Sequence, residues 1–252
     1  MFFSTYLKKF KKIHHCFFSK KKGFSKGIYK SLNCGIGSND NKEKIKKNLK
    51  FISNYMGIKK TNLILMNQTH SNKVIVINNK NKKNKKFNSD ALITKVKGIA
   101  LGVLTADCVP ILLYDKKNEI IGCIHAGWKG SISGIINNTI SKFKKLEKIN
   151  EIYASVGPCI GKKSYEVNKD FLNKFKKKSK NNLIFFKKRN EKFLFDLRGY
   201  VNKELKHQGV KLIDNIDLDT FQDYDNFFSY RRSQKSGAKD YGRCISTICL
   251  KT

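Results

Sequence analysis

The sequence predicts a mixed α/β (α+β) fold, with a central mixed β-sheet core flanked by helices. Strand-like apolar runs follow one another closely between residues 62 and 126, and amphipathic helical segments stand before and after them. Grouped strands with helices between the groups are typical of such mixed architectures. No internal repeat and no linker divides the 252 residues. We therefore expect a single domain over 16–252, preceded by a basic, poorly ordered lead-in over 1–15.

The predicted strands are short apolar runs rich in Ile, Val and Leu. The early strands are expected at 62–66, 73–77, 90–94, 99–105, 109–115 and 119–126. Later strands are expected at 151–157, 193–197, 211–217 and 244–250. A chain of this length can bury a substantial core between them.

The clearest predicted helix is 40–56, because its apolar residues recur every three or four positions with Lys and Glu between them. Asn39 or Asp40 would serve as its N-cap. Further helices are expected at 129–146, 168–178 and around 198–207. The glycine-containing stretch 23–37 is too irregular for a helix, and we predict a shaped loop there.

The net charge of +34 invites a nucleic-acid interpretation. However, only five of the 53 basic residues are Arg, the side chain that base readout and phosphate clamps favour. The lysine runs, such as 80–86, fall between apolar segments where solvated loops are expected. We therefore predict no specific nucleic-acid binding, although nonspecific adhesion to polyanions is expected.

Composition also bears on the compartment. No run of about 18 uncharged apolar residues is present, which argues against a membrane span. The N-terminal residues are interrupted by Lys every few positions and lack a secretory apolar region. Seven cysteines without any CxxC pair indicate reduced thiols. These observations predict a cytoplasmic protein.

Three residues at strand ends carry the candidate chemistry: His70, Cys108 and His125. Two His and one Cys suit zinc, and three ligands from separate strands leave a position free for water, as in catalytic zinc sites. A second interpretation is that Cys108 is a nucleophile and His125 is its general base. A third is that Cys108 packs in the core and that the two His residues are structural. Cys123, on the same strand face as His125, would be a packed neighbour or a fourth ligand.

Seven segments, taken in order, resemble the YfiH-like family, also called the laccase-domain or polyphenol oxidase family and now regarded as purine nucleoside phosphorylases. They are GFSKGIYKSLNCGIGSNDN (23–41), NQTHS (67–71), SDALIT (89–94), LTADCVPILLYD (104–115), HAGWKG (125–130), VGPCIGKKSYEV (156–167) and FFSYRR (227–232). In this family the zinc ligands are the His of QxH, the Cys of ADC and the His of HAGW. The resemblance therefore implies zinc at His70, Cys108 and His125.

The resemblance further implies phosphorolysis of adenosine, inosine and 5′-methylthioadenosine, with adenosine deamination as a side activity. Asn33, Gln68 and Arg231 stand in matching motifs and are candidate substrate or phosphate contacts. Lys20 stands where the family usually has an Arg, and it can meet a phosphate only as a point charge. Phosphate is expected near the N-terminus of the helix that follows His125.

Two other functions stay open at this point. One is a metal-independent Cys–His hydrolase acting on peptidoglycan precursors, and the other is a copper-dependent polyphenol oxidase. Copper is the less favoured metal, because the chain has only five His and two of them are already zinc ligands. The expected partners are purine nucleosides and phosphate, with no membrane, and the chain is expected to be a monomer or a homodimer.

Overall fold

Thirteen strands and six α-helices occur in the residues that the computed structural model describes, which are 1–84, 87–148 and 151–252. Two lysines at the end of the lysine run 80–86 therefore lie outside the described residues. The strands are β1 (Ile13–Phe17), β2 (Leu63–Leu65), β3 (Val74–Ile77), β4 (Ala91–Thr94), β5 (Ala100–Thr105), β6 (Val109–Asp115), β7 (Ile120–Ala126), β8 (Ile152–Val156), β9 (Glu166–Val167), β10 (Phe186–Arg189), β11 (Lys192–Phe195), β12 (Leu212–Asn215) and β13 (Cys244–Leu250). The helices are α1 (Lys42–Tyr55), α2 (Trp128–Ile132), α3 (Ile135–Leu146), α4 (Lys169–Lys178), α5 (Leu197–His207) and α6 (Tyr230–Lys235).

The strands form three sheets. A six-stranded sheet has the order β12-β8-β6-β7-β4-β3, and only its two outermost pairs are parallel. A four-stranded sheet has the order β1-β13-β5-β2. A small antiparallel sheet, β10-β11-β9, stands apart from both. The predicted mixed α/β fold with a sheet core is confirmed.

Alternate residues of the strands enter different cores, which shows how the layers stack. On β6, Ile111 and Leu113 pack with the helices α3 and α5, whereas Leu112 packs between the two larger sheets. On β5, Leu101 faces that same middle core, and Leu104 packs with α1 on the far side. The period of two along each strand therefore produces helix, sheet, sheet and helix layers.

Most predicted elements are present, with two differences among the helices. Helix α1 begins at Lys42 because Asn41, rather than Asn39 or Asp40, caps it and accepts hydrogen bonds from Glu43 N and Lys44 N. The predicted helix 129–146 is two helices, α2 and α3, because Gly134 adopts a φ of 93° between them. None of the helices in the described ranges is both long and apolar enough to cross a membrane.

The N-terminal fifteen residues require a correction, because they are folded rather than poorly ordered. Phe2 and Phe17 exchange two backbone hydrogen bonds, of 2.9 and 3.0 Å. Leu7 is buried in the core between the sheets, and β1 pairs with β13 from Ile13 onward. The apolar residues between the lysines supply the burial that holds this segment.

Candidate active site

Strand register brings His125 and Cys108 to one edge of the six-stranded sheet. Strands β6 and β7 are antiparallel neighbours in which Val109 pairs with Ala126. The start of β6, which Cys108 precedes, therefore lies beside the end of β7, which contains His125. His70 approaches from the turn before β3. Its Nε2 atom lies 3.8 Å from Cys108 Sγ, and its ring meets the His125 ring edge-on at 4.7 Å between centroids. The ligand atoms of all three residues lie within 4.8 Å of one another.

Asp90 holds two of these three ligands in position. It precedes β4, which pairs with β7, and it is fully buried. His125 Nδ1–H donates to Asp90 Oδ1 at 2.8 Å, which leaves the His125 Nε2 atom free for a ligand. The backbone N–H groups of His70 and Ser71 donate to the same carboxylate at 3.0 and 2.6 Å. One carboxylate therefore fixes the His125 imidazole and the backbone turn that carries His70.

His70 stands on a strained backbone. Its φ is 59°, in the left-handed region that non-glycine residues seldom occupy. The hydrogen bonds from the His70 turn to Asp90 offset the cost of this conformation, which is about 1–3 kcal/mol. Such strain persists where the surrounding structure fixes a functional side chain, and here it presents an exposed imidazole beside Cys108.

Asp107 fixes the turn that carries Cys108. This buried residue has a φ of 84°, and its carboxylate accepts hydrogen bonds from Thr220 and Ser229 at 2.7 and 2.9 Å. Arg231 N also donates to Asp107, at 2.6 Å. The Cys108 turn is thereby tied to the start of helix α6.

The protein prepares Cys108 as a thiolate. Burial alone would raise the pKa of its thiol, but the charge of His125 and hydrogen bonds from His125 and His70 outweigh burial and lower that pKa to about 6. Burial would likewise lower the pKa of His125, yet Cys108 and Asp90 raise it to about 9. Hydrogen bonds from His125 and Ser71 overcome the effect of burial on Asp90 and lower its pKa to about 2. The centre is therefore a charged network near neutral pH.

Gly127 leaves room for the cluster. A Cβ atom at this position would lie 2.8 Å from His70 Cδ2 and 2.9 Å from Cys108 Sγ. The space that this missing side chain leaves is bounded by two of the three ligands. A deprotonated Cys beside two imidazoles is a donor set that suits a borderline-soft ion such as zinc. The residues present thus fit a metal.

A cleft of about 550 Å³ opens onto this cluster. Its volume lies within the range of small-molecule sites, about 300–1,000 Å³. Four aromatic residues line it: Trp128, Tyr165, Phe171 and Tyr230. Arg231 and Lys192 are the basic side chains among its lining residues. The cleft therefore combines aromatic walls, a candidate metal centre and positive charge.

Of the four predicted substrate contacts, only Arg231 lines this cleft. Its Nη1 donates to Glu166 O at 2.7 Å, and its guanidinium lies 5.2 Å from the Tyr165 ring centroid. Gln68 instead exchanges two hydrogen bonds with the backbone of Leu104, at 2.7 and 2.8 Å.

Lys20 and Asn33 also lie outside the cleft lining. The Lys20 ammonium stands 4.0 Å from the Tyr224 ring centroid. Asn33 is fully buried, and its amide bonds Ser38, Asp40 and the backbone N–H groups of Gly35 and Arg243. With Ser25, Asp40 and Asn48 it forms a hydrogen-bonded group that we call the polar knot.

Sequence reasoning missed several residues of the site. Asp90 is the first residue of the predicted strand 90–94, and Asp107 directly precedes Cys108; both lie inside the family motifs, and that position was the available signal. Tyr165, Phe171 and Lys192 come from later segments that no spacing rule connects with the cluster. Cys123 packs in the core between the larger sheets.

A family model described as multi-copper polyphenol oxidoreductase laccase matches residues 14–251. The chain belongs to this family. The resemblance to the YfiH-like, laccase-domain family is thereby confirmed.

Among relatives of this laccase-domain chain, a purine nucleoside phosphorylase of Rickettsia prowazekii is 35% identical over 215 residues, which cover 84% of this chain and 87% of the relative. A purine nucleoside phosphorylase of Bacteroides thetaiotaomicron is 30% identical over 257 residues, 97% of this chain and 94% of the relative.

Two solved structures share the laccase-domain fold. A Neisseria meningitidis protein superposes with a TM-score of 0.85 at 31% identity, covering 96% of each chain. The Bacillus licheniformis hypothetical protein YfiH gives a TM-score of 0.89 at 25% identity, covering 97% of this chain and 95% of that one. The relatives' names support an enzyme of the purine nucleoside phosphorylase kind, and the His–Cys–His cluster is a site that could hold a metal.

Proposed function

We propose that this protein is a zinc-dependent purine nucleoside phosphorylase. It would cleave adenosine, inosine and 5′-methylthioadenosine with phosphate to the free base and ribose 1-phosphate, or its methylthio form, with adenosine deamination as a side activity. The observation that carries the proposal is that His70 and Cys108 open into a cleft with aromatic walls and Arg231 among its lining residues. The names of the relatives support the reaction class.

The aromatic walls suit a purine. Trp128 and Phe171 lie 4.9 Å apart between ring centroids, and Tyr165 meets Phe171 edge-on at 5.9 Å. Flat rings of this kind contribute a large contact area and favourable stacking with a planar base. The base would bind among them, with its ribose directed along the cleft.

Arg231 is the candidate phosphate ligand. One arm of its guanidinium is held by Glu166 O, and its backbone N–H is held by Asp107, so the side chain is positioned before any ligand arrives. In phosphorolysis a phosphate oxygen bonds to C1′ while the bond from C1′ to the purine nitrogen breaks. The electron pair leaves with the base, which then takes up a proton. A positioned guanidinium both orients the phosphate and excludes alternative poses.

His70, Cys108 and His125 would hold the metal, with Asp90 orienting the His125 imidazole and the backbone of the His70 turn. A zinc ion bound there would supply Lewis-acid polarisation at the substrate. A His₂Cys set also occurs in blue-copper sites, which add a weak axial ligand that is often Met. The chain has only five His residues, fewer than multinuclear copper sites require, which favours zinc over copper. We further propose a cytoplasmic location, and that purine nucleosides and phosphate, rather than nucleic acid or a membrane, are its partners.

A Cys–His hydrolase is the second candidate, because the low pKa of Cys108 and its contact with His70 would also suit a nucleophile. This enzyme would need no metal. Alkylation of Cys108 would inactivate it, and a chelator would leave it active. The peptidoglycan-precursor substrate of this alternative stays a prediction.

The test is elemental analysis of the purified protein together with phosphate-dependent release of hypoxanthine from inosine in the same sample. We expect about one zinc per chain and strict dependence on phosphate. His70→Ala and Cys108→Ala should abolish metal binding, phosphorolysis and deamination together, whereas His207→Ala, an exposed His at the end of α5, should change none of them. Protein that contains no zinc, releases no hypoxanthine and has a freely alkylated Cys108 would move the assignment to the hydrolase. Loss of deamination alone would refute a metal shared by both reactions.

A further inference from the structure

Glu166 joins two positive groups at the mouth of the cleft. Its side chain pairs with Lys192, with Oε1 at 2.9 Å from Nζ, and its backbone carbonyl accepts from Arg231 Nη1 at 2.7 Å. Both cationic residues line the cleft. Strands β9 and β11, which are hydrogen-bonded neighbours, thus position Lys192, while α6 positions Arg231.

Two more basic residues surround this pair. Arg189 is the cross-strand partner of Lys192 in the β10–β11 hairpin. Lys235 stands one helical turn after Arg231 on α6. The hydrogen bond and charge of Lys192, followed by the charges of Arg189 and Lys235, lower the pKa of Glu166. We call Arg189, Lys192, Arg231 and Lys235 the cationic rim.

The cationic rim differs from the general lysine surface of this protein. Only five of its 53 basic residues are Arg, and two of those five stand in the rim. Lys192, Arg189 and Lys235 act on the Glu166 carboxylate, and Arg231 bonds the Glu166 backbone carbonyl. The four basic side chains outnumber the carboxylates of Glu166 and Asp107 that line the open cleft. Such focused potential attracts anions. The pair of Lys192 and Glu166 is partly exposed, at 59% and 30%, and an exposed pair contributes little stability, so an incoming anion can displace it.

We propose that the cationic rim binds a phosphate group, with Lys192 transferring from Glu166 to a phosphate oxygen beside Arg231. Glu166 holds both cations in place while the cleft is empty. The inference rests on the proposed function for the site, since it adds a second anion ligand to the same cleft. The phosphate group can be that of inorganic phosphate or the 5′-phosphate of a purine nucleotide, and both present the same oxygens.

The experiment measures binding by equilibrium dialysis with radiolabelled inorganic phosphate and, separately, with radiolabelled inosine 5′-monophosphate. The full-length metal-loaded protein is compared with Lys192→Gln. The matched control is Lys188→Gln, which removes the same charge from β10 but on the opposite sheet face from Arg189. Loss of one charge-assisted hydrogen bond should weaken binding about tenfold in Lys192→Gln. Lys188→Gln should stay within about twofold of the natural protein.

Comparing inorganic phosphate with inosine 5′-monophosphate shows which of the two phosphate groups the cationic rim binds. Weaker binding of inorganic phosphate by Lys192→Gln assigns the rim to the co-substrate, and weaker binding of the nucleotide alone assigns it to a 5′-phosphate. Equal effects of Lys192→Gln and Lys188→Gln on both ligands would overturn the proposal, because they would reveal only general attraction to a basic surface. Hypoxanthine release is measured in parallel. If the natural protein releases none yet Lys192→Gln loses phosphate affinity, the proposed function fails while the phosphate site stands.

Discussion

Two regions with equally clear sequence motifs use their polar groups in opposite ways. The polar knot (Ser25, Asn33, Asp40 and Asn48) is buried, and its side chains hydrogen-bond to one another and to the loop around them. The His–Cys–His cluster leaves His70 exposed and Cys108 partly exposed, with His125 buried behind them. Both regions contain strained or tightly bonded loops, but only the cluster presents unused ligand atoms to a cleft.

This difference shows that the residues of a family motif can have either of two roles. They can fix the shape of a loop, or they can supply the side chains that bind and react. Asn33 uses both ends of its amide to shape the 23–37 loop and to hold it against Arg243. The cluster residues are instead held by neighbours, above all by Asp90, so that their own ligand atoms stay available. We therefore expect substitutions in the knot to change stability and substitutions at the cluster to change metal binding and reactivity.

The largest expected effect is selective reaction of Cys108. In metal-free protein its pKa of about 6 makes it mostly thiolate at pH 7. Burial raises the pKa of every other thiol, to about 11 or 12 for Cys16, Cys123, Cys159, Cys244 and Cys249 and well above the usual value for Cys34. The thiolate fraction thus differs by roughly 10⁴-fold or more.

We expect iodoacetamide to modify Cys108 alone, as read by peptide mass spectrometry. Since the thiolate fraction grows as pH rises, the rate should increase with pH and reach half its maximum near pH 6. Bound zinc should protect the thiol. Equal labelling of several cysteines in folded protein, or a midpoint near pH 8.5, would contradict the charged network described for this centre.

The second prediction concerns the polar knot. Asn33→Ala leaves the N–H groups of Gly35 and Arg243 without their acceptor and removes a donor from Asp40. Buried unsatisfied groups cost about 1–3 kcal/mol each, so the free energy of unfolding should fall by about 2–5 kcal/mol in urea denaturation. Zinc content should not change.

Ser38→Ala, which removes one partner of Asn33, is the matched milder variant and should cost about 1 kcal/mol. A folded Asn33→Ala protein of unchanged stability, with a raised KM for inosine, would instead support the predicted role of Asn33 as a substrate contact.

Much of the layered fold followed from the sequence because its strands carry strong apolar runs. Strand β7 and its neighbours were predicted to within one or two residues. The N-terminal strand β1 was missed because lysines interrupt its surroundings, and its burial depends on β13, more than 200 residues away. The break between α2 and α3 was missed because the apolar period continues past Gly134, whose φ of 93° ends the first helix.

The candidate site was predictable in part for a different reason. The three cluster residues belong to motifs, and the register of β6 and β7 does bring Cys108 and His125 to one sheet edge. The cleft walls were not predictable, because Tyr165 and Phe171 meet Trp128 only through tertiary packing. The motif that contains Asp90 does not reveal its role, since hydrogen bonding across strands cannot be read from spacing.

The last prediction tests Asp90, which is buried like the knot but serves the cluster. Its hydrogen bonds all come from donors: His125 Nδ1–H, the Ser71 hydroxyl and the N–H groups of the His70 turn. In Asp90→Asn the new NH₂ group must therefore face one of these donors, so either the His125 imidazole or the backbone of the His70 turn loses its acceptor. Removing such a supporting carboxylate typically lowers metal affinity about 10–100-fold. The affinity is measured by zinc competition with a chromogenic chelator.

Asp40→Asn is the control, because it places the same change in the polar knot and should lower stability while leaving zinc affinity intact. If both variants lost stability equally and both bound zinc like the natural protein, Asp90 would belong with the knot, and the distinction between the two regions would fail.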